Sequence, residues 1–135
     1  MEETFIIVKP EAVRRGLVGE VLKRFEQRGL AIKRLEVRQI PRELAAEHYE
    51  HLKDKPFFGG VLDSFTEGPV VTAILSGPDA VQVVRSVVGA TNPVEALPGT
   101  IRGDFGTYLP FNVVHASDSP ATAVREIGLF FPGQK

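Results

Sequence analysis

The chain has no cysteine among its 135 residues, which excludes disulfides, a thiolate nucleophile and any cysteine-based metal site, and fits a reducing compartment. It has almost no net charge: 16 basic against 17 acidic side chains leave −1 with histidine neutral. No bulk field is therefore available to attract nucleic acid or an anionic membrane, and any anion site must be local. No apolar run is long enough to span a bilayer. The opening Met1-Glu2-Glu3-Thr4 is acidic and leads straight into a short apolar stretch, unlike the basic start and longer apolar core of a secretory signal. The expectation is a cytoplasmic protein with no membrane association and no obligatory nucleic-acid partner.

What is present is ordinary for a globular chain, with 43% hydrophobic and 24% charged residues. The length fits one domain over residues 1–135, large enough to bury a core without staples. Thr4 to Val8 is a compact β-favouring run ended by Lys9-Pro10, and reads as a buried central strand. From Gly16, Leu17, Val18, Val21, Leu22 and Phe25 recur at helical spacing, and Gly29 supplies the stop. Leu30 to Ile40 alternates as a strand, with a phase slip at Lys33-Arg34 that predicts a β-bulge. Arg42 to Leu52 reads as a polar surface helix, and Val61 to Phe65 as a further short one.

Val70 to Leu75 is another apolar strand, followed by a helix over Asp79 to Val88 that Asp79 is placed to cap. Gly89 to Pro110 is too punctuated for one long element and too apolar for a linker, and so predicts a structured, functional loop. Asn112 to His115 is a short strand, and Ser119-Pro120 opens the last helix with Ser119 as N-cap. This β-α-β-β-α-β order predicts an α+β, ferredoxin-like sandwich: a four-stranded antiparallel sheet with flanking helices on one face and a long structured loop before the last strand.

His115 stands out chemically. It ends a short apolar run and opens a cluster of small polar residues, Ala116-Ser117-Asp118-Ser119. A neutral imidazole has one ring nitrogen free to attack while a carboxylate orients the other, and Glu126 is a candidate for that carboxylate. A lone histidine at a strand end is more often a hydrogen-bonded structural residue, so the octapeptide alone does not decide. Lys9, Arg85 and Arg102 come from separate segments and form a phosphate clamp if they converge. Tyr49 and Phe57 serve either as packing or as part of a site, and Phe57 or Phe58 is positioned to be offered to a base. Thr91, Asn112 and Ser117 are small polar groups equally suited to capping backbone or touching a ligand.

Other signals fail on context. Asp104-Phe105-Gly106 matches the protein-kinase magnesium tripeptide, but the glycine-rich loop and the His-Arg-Asp loop of that fold are missing. Walker A is absent too. His48 and His51 lie one helical turn apart, and with no third ligand nearby they read as an exposed helix face and not as a metal site.

Six segments in order nonetheless resemble the nucleoside diphosphate kinase family. They are Thr4-Phe5-Ile6-Ile7-Val8-Lys9-Pro10-Glu11, Arg15-Gly16-Leu17-Val18-Gly19-Glu20, Lys55-Pro56-Phe57-Phe58, Gly89-Ala90-Thr91-Asn92-Pro93, Pro98-Gly99-Thr100-Ile101-Arg102-Gly103-Asp104-Phe105 and Asn112-Val113-Val114-His115-Ala116-Ser117-Asp118-Ser119. The resemblance implies transfer of a γ-phosphoryl group from a nucleoside triphosphate to a nucleoside diphosphate, by a ping-pong route through a phosphohistidine at His115. It implies that Lys9, Arg85, Thr91, Arg102 and Asn112 bind phosphates and ribose, and that Phe57 with Val61 stacks on the base. Tyr49 and Lys9 would sit near the transferring phosphoryl, while Glu126 and Ser117 orient the His115 ring. Asp118 would lie near a Mg²⁺ ion delivered with the nucleotide, in indirect contact, and the assembly would be a homo-oligomer built from dimers.

Three features depart from the family pattern: Ala116 where many members have glycine, Leu109-Pro110-Phe111 in a segment that often contains glycine, and an end soon after Phe131. The competing readings are a catalytically inactive kinase-like regulatory or scaffold protein and a ferredoxin-like RNA-binding module, the latter disfavoured by the lack of a recognisable RNP motif and of a basic surface.

Overall fold

The computed structural model describes residues 1–133. Its centre is a four-stranded sheet in the order β2-β3-β1-β4, made of β1 (Glu2–Val8), β2 (Ala31–Arg38), β3 (Val70–Gly77) and β4 (Val114–Ala116). Every pairing is antiparallel, which is the ferredoxin-like arrangement expected from the order of elements. Between the strands lie α1 (Pro10–Arg14), α2 (Val18–Gln27), α3 (Arg42–His48), α4 (Phe58–Thr66), α5 (Ala80–Val88), α6 (Ile101–Phe105) and α7 (Pro120–Phe130). Among the described residues, no helix is long and apolar enough to cross a membrane.

The expected placement of helices on one face is corrected: both faces of the sheet are covered. Ile6 and Val8 of β1 join Val21 and Phe25 of α2 and Val84 of α5 in one core. Phe5 and Ile7, pointing the other way, join Ala45 of α3, Leu62 and Phe65 of α4, and Ile127 and Phe130 of α7 in a second core. The physical reason lies in β1 and β3. Residues 4–8 and 70–76 are buried without interruption, and a strand with no polar side needs cover on both faces. That double cover also removes the open aromatic sheet face on which an RNA-binding module stacks bases.

The bulge falls where the phase slip put it, with the β2–β3 register shifting between Ile32 and Arg34. Gly29 closes α2 at φ +87°, a conformation that glycine adopts without a Cβ penalty. Ser119 caps α7 by accepting from the Thr122 backbone N–H at 3.1 Å, ahead of Pro120. The Asp79 cap is not formed. Asp79 sits at φ 52° with no side-chain bond to α5. Instead, Glu2 accepts from the Val81 N–H at 2.9 Å, tying α5 to the start of the sheet.

The last strand is also shorter than the expected Asn112 to His115. Val113 adopts φ 75°, and the Val114 N–H bonds back to the Asn112 carbonyl at 2.8 Å. This γ-turn is costly for a β-branched residue. Strand pairing begins only after it, and it separates Asn112 from His115 in direction.

The long loop is structured, with a 3-10 turn at Pro93–Glu95 and α6. Asp104, the acid of the coincidental tripeptide, holds it shut by accepting from Arg24 at 2.6 Å and from the Gly99 N–H at 2.8 Å. At Gly103 a Cβ would lie 2.0 Å from the Leu97 carbonyl oxygen, so α6 packs backbone to backbone against the loop. At Gly128, exposed on α7, a Cβ would meet nothing within 4 Å. Urea denaturation should therefore separate the two: Gly103→Ala costs about 1–3 kcal/mol of stability through overpacking, whereas Gly128→Ala gains roughly 0.5–1 kcal/mol from helix propensity.

Candidate active site

The alternation of β4 sends Val114 and Ala116 into the first core and turns the His115 ring to the opposite face, above Ile7 of β1. α7 crosses that face and delivers Glu126. Its carboxylate Oε1 lies 3.0 Å from His115 Nε2 and accepts from the Ser117 hydroxyl at 2.6 Å. Burial pushes the Glu126 carboxyl up, but the hydrogen bond and charge of His115 and the Ser117 bond outweigh it, and the net pKa is lowered. Glu126 is thus the ionised acceptor and Nε2 the protonated nitrogen. In the neutral ring this tautomer puts the lone pair on Nδ1, and the ring lines the cleft.

That cleft is large, about 1180 Å³, enough for a nucleotide. The three cations proposed as a clamp do converge on it: Lys9, Arg85 and Arg102 all line it. Lys9 donates to Asn112 Oδ1 at 2.5 Å, and the Asn112 amide donates to the Thr91 carbonyl at 2.9 Å. Arg102 spends its donors on backbone, reaching the carbonyls of Asn112 at 3.2 Å, Gly89 at 3.1 Å and Val114 at 2.7 Å. It is a buried latch that fixes the γ-turn as well as a charge beside the cleft.

Crowding of the cations leaves its mark on their acidity. Burial, then repulsion from Arg102, lowers Lys9 to about 7. Burial, then repulsion from Arg85, lowers Arg102 to about 10. Both shifts come from burial and from cation–cation repulsion, the second of which a polyanionic ligand would relieve.

At the far rim Phe57 is 53% exposed and Val61 lies one helical turn further on, both lining the cleft, while Phe58 packs in the second core. The choice between the two rings that sequence left open is thereby made. Tyr49 lines the cleft with its ring centroid 6.5 Å from that of His115, and burial, then the Glu126 charge, raises its phenol well above the ordinary value. Asp118 is exposed at the same cleft. Leu109 and Pro110 line it too, with the Pro110 carbonyl 3.5 Å from the Lys9 ammonium. Ala116 is buried in the first core beneath the site.

One reading fails. His48 is not on an exposed helix face: it is 2% exposed, with its ring centroid 4.6 Å from that of His115 and its Nδ1 3.6 Å from Glu126 Oε2. His51 is exposed as expected. The signal missed was the helical spacing of Leu44, Ala45, His48 and Leu52, which places His48 on the inward stripe. Arg125 and Thr122, also missed, line the cleft from α7; nothing in their local sequence distinguishes them from surface polar residues.

An imidazole held by a carboxylate, three cations, and an exposed ring at the rim are the groups that phosphoryl transfer to and from a nucleotide calls for. Comparison with known proteins agrees. A family model described as nucleoside diphosphate kinase matches residues 2–135. The nucleoside diphosphate kinase of Archaeoglobus fulgidus is 56% identical over 131 residues, covering 97% of this chain and 87% of that protein. That of Thermus thermophilus is 53% identical over 131 residues, covering 97% and 96%. Among solved structures, the nucleoside diphosphate kinase of Halobacterium salinarum in complex with CDP superposes with TM-score 0.95 at 45% identity, covering 97% of this chain and 88% of that one. A nucleoside diphosphate kinase family protein from Babesia bovis gives TM-score 0.95 at 48% identity, covering 98% and 89%. The chain belongs to the nucleoside diphosphate kinase family.

Proposed function

We propose that this chain carries out its family's reaction, moving the γ-phosphoryl group of a nucleoside triphosphate to a nucleoside diphosphate, with His115 as the phosphoryl carrier. The observation that carries the assignment is the 3.0 Å contact between Glu126 and His115 Nε2, which leaves Nδ1 unprotonated beside the cation-lined cleft. In the first half-reaction the Nδ1 lone pair forms the bond to phosphorus, the bond from phosphorus to the bridging oxygen breaks, and that electron pair leaves with the nucleoside diphosphate. The ring gains positive character, and Glu126, still accepting from Nε2–H, balances it. A second nucleoside diphosphate takes the phosphoryl group back by the reverse path.

Lys9, Arg85 and Arg102 meet the charge that spreads over the phosphoryl oxygens, and Asn112 and Thr91 position phosphate and ribose. Tyr49 stands near the transferring group. Phe57 and Val61 offer the base an apolar surface with no hydrogen-bond code, which supports a broad tolerance of bases. A magnesium ion arriving with the nucleotide fits the donors present. Asp118 offers one exposed hard oxygen ligand, whereas the His48, His115 and Glu126 group is buried and nitrogen-rich. Such an ion neutralises phosphate charge and leaves most of its coordination to phosphate and water. A homo-oligomer built from dimers is supported by β2, an edge strand of the sheet on which Leu35 and Val37 are 47% and 72% exposed.

Incubation with γ-labelled ATP should place an acid-labile label on the wild type and none on His115→Gln, which should also show no turnover; a fully labelled variant would contradict the assignment. Lys9 supplies a second test. Its depressed pKa makes it largely neutral above about 7, and phosphate binding favours the charged form, so binding must draw in a proton as pH rises through 7. Calorimetry of ADP binding in buffers of different ionisation enthalpy should show uptake of about one proton at pH 8 that disappears in Lys9→Ala, with weaker affinity for the variant.

A further inference from the structure

The structure holds a buried imidazole that the transfer reaction as described does not use. His48 ends α3 and is packed among Phe65, Phe130, Tyr49 and His115. Neither of its ring nitrogens makes a hydrogen bond among the described residues, although the side chain is almost fully buried. A buried polar ring without partners costs stability, so its presence calls for an explanation. The polar atom nearest its Nδ1 in an ion-pair contact is Glu126 Oε2, 3.6 Å away. His115 and Ser117 both bind the other carboxylate oxygen, Oε1, and leave Oε2 to a further donor.

We propose that His48 is a positioning residue for the phosphoryl carrier: as the Nδ1–H tautomer it donates to Glu126 Oε2 and fixes the carboxylate whose other oxygen holds His115. The proposal rests on His115 being that carrier. The tautomer follows from charge. The alternative, with the proton on Nε2, would set a lone pair of Nδ1 against an ionised oxygen inside the protein. Burial, then the proximity of His115, drives His48 down to about 3, so the ring is neutral and adds no competing cation. The contact is longer than a formed hydrogen bond. Such contacts in ligand-free sites shorten when the reacting complex forms, and here the carboxylate is drawn in as the His115 ring gains positive character. Glu126 would then accept three hydrogen bonds, from His115, Ser117 and His48, and could not rotate away from Nε2.

The test uses two amides of different reach. Asparagine places its NH₂ where Nδ1 of histidine lies, and glutamine places it near Nε2. His48→Asn should stay within a few-fold of wild-type kcat, while His48→Gln and His48→Phe should lose about 10- to 100-fold in kcat with KM for the nucleoside diphosphate unchanged, as expected for a partner acting through another residue. Nitrogen-detected NMR of the wild type at neutral pH should show His48 protonated on Nδ1. It should show His115 in a single Nε2–H form in wild type and His48→Asn, but a mixture of tautomers in His48→Phe. Wild-type His48 protonated on Nε2, or an asparagine variant no better than phenylalanine, would overturn the proposal. The wild-type tautomer decides the matter even if a variant does not fold. Wild-type turnover and labelling separately test the transfer reaction itself.

Discussion

The hydrogen bond between Glu126 and His115 Nε2 is the interaction on which the rest of the site depends. An imidazole free to rotate or to exchange tautomers presents either nitrogen, protonated or not. A buried carboxylate on Nε2 removes that freedom and selects one nucleophilic atom. The bond exists because three separate pieces of local structure agree. The antiparallel register sets His115 opposite Ile7, on the face that α7 covers. The Ser119 cap and Pro120 start that helix at a defined point, and Glu126 follows on its inward side. Ser117, fully buried, occupies the same carboxylate oxygen and limits its movement.

Around this bond the protein accumulates positive charge at a cost. Lys9 and Arg102 are both depressed by burial and by other cations, so the clustered cations repel one another. The chain tolerates this by giving Arg102 three backbone acceptors and Lys9 the Asn112 oxygen. Those same bonds hold Val113 in its strained turn and join the long loop to the end of β1. In the proposed reaction, bound phosphate would relieve this repulsion. The same clustering of cations is what would stabilise charge on a transferring phosphoryl group in the proposed reaction.

Much of this was legible in the chain. The apolar runs of β1 and β3, the bulge in β2, the glycine stop of α2 and the Ser119 cap are local signals with local causes, and each appears where sequence places it. The double cover of the sheet is also written in the nearly unbroken apolar runs of β1 and β3. A one-sided expectation arose from element order alone. Asp79 illustrates a different failure: a good capping residue is displaced because Glu2, far away in sequence, reaches the same helix end. Convergence of Lys9, Arg85 and Arg102 is a property of topology, and no spacing along the chain reveals it. His48 was misplaced because its own short segment looks polar, whereas its neighbours at helical spacing face the second core.

The central claim is that Glu126 occupies Nε2 and leaves Nδ1 to react, so the position of the phosphoryl group on the ring tests it most directly. Phosphorus NMR of the protein trapped after reaction with ATP, in the absence of a diphosphate acceptor, distinguishes the two isomers of phosphohistidine. The account predicts a phosphoryl group on Nδ1 of His115. A phosphoryl group on Nε2 would contradict it, because that nitrogen cannot both hold the Glu126 bond and attack phosphorus.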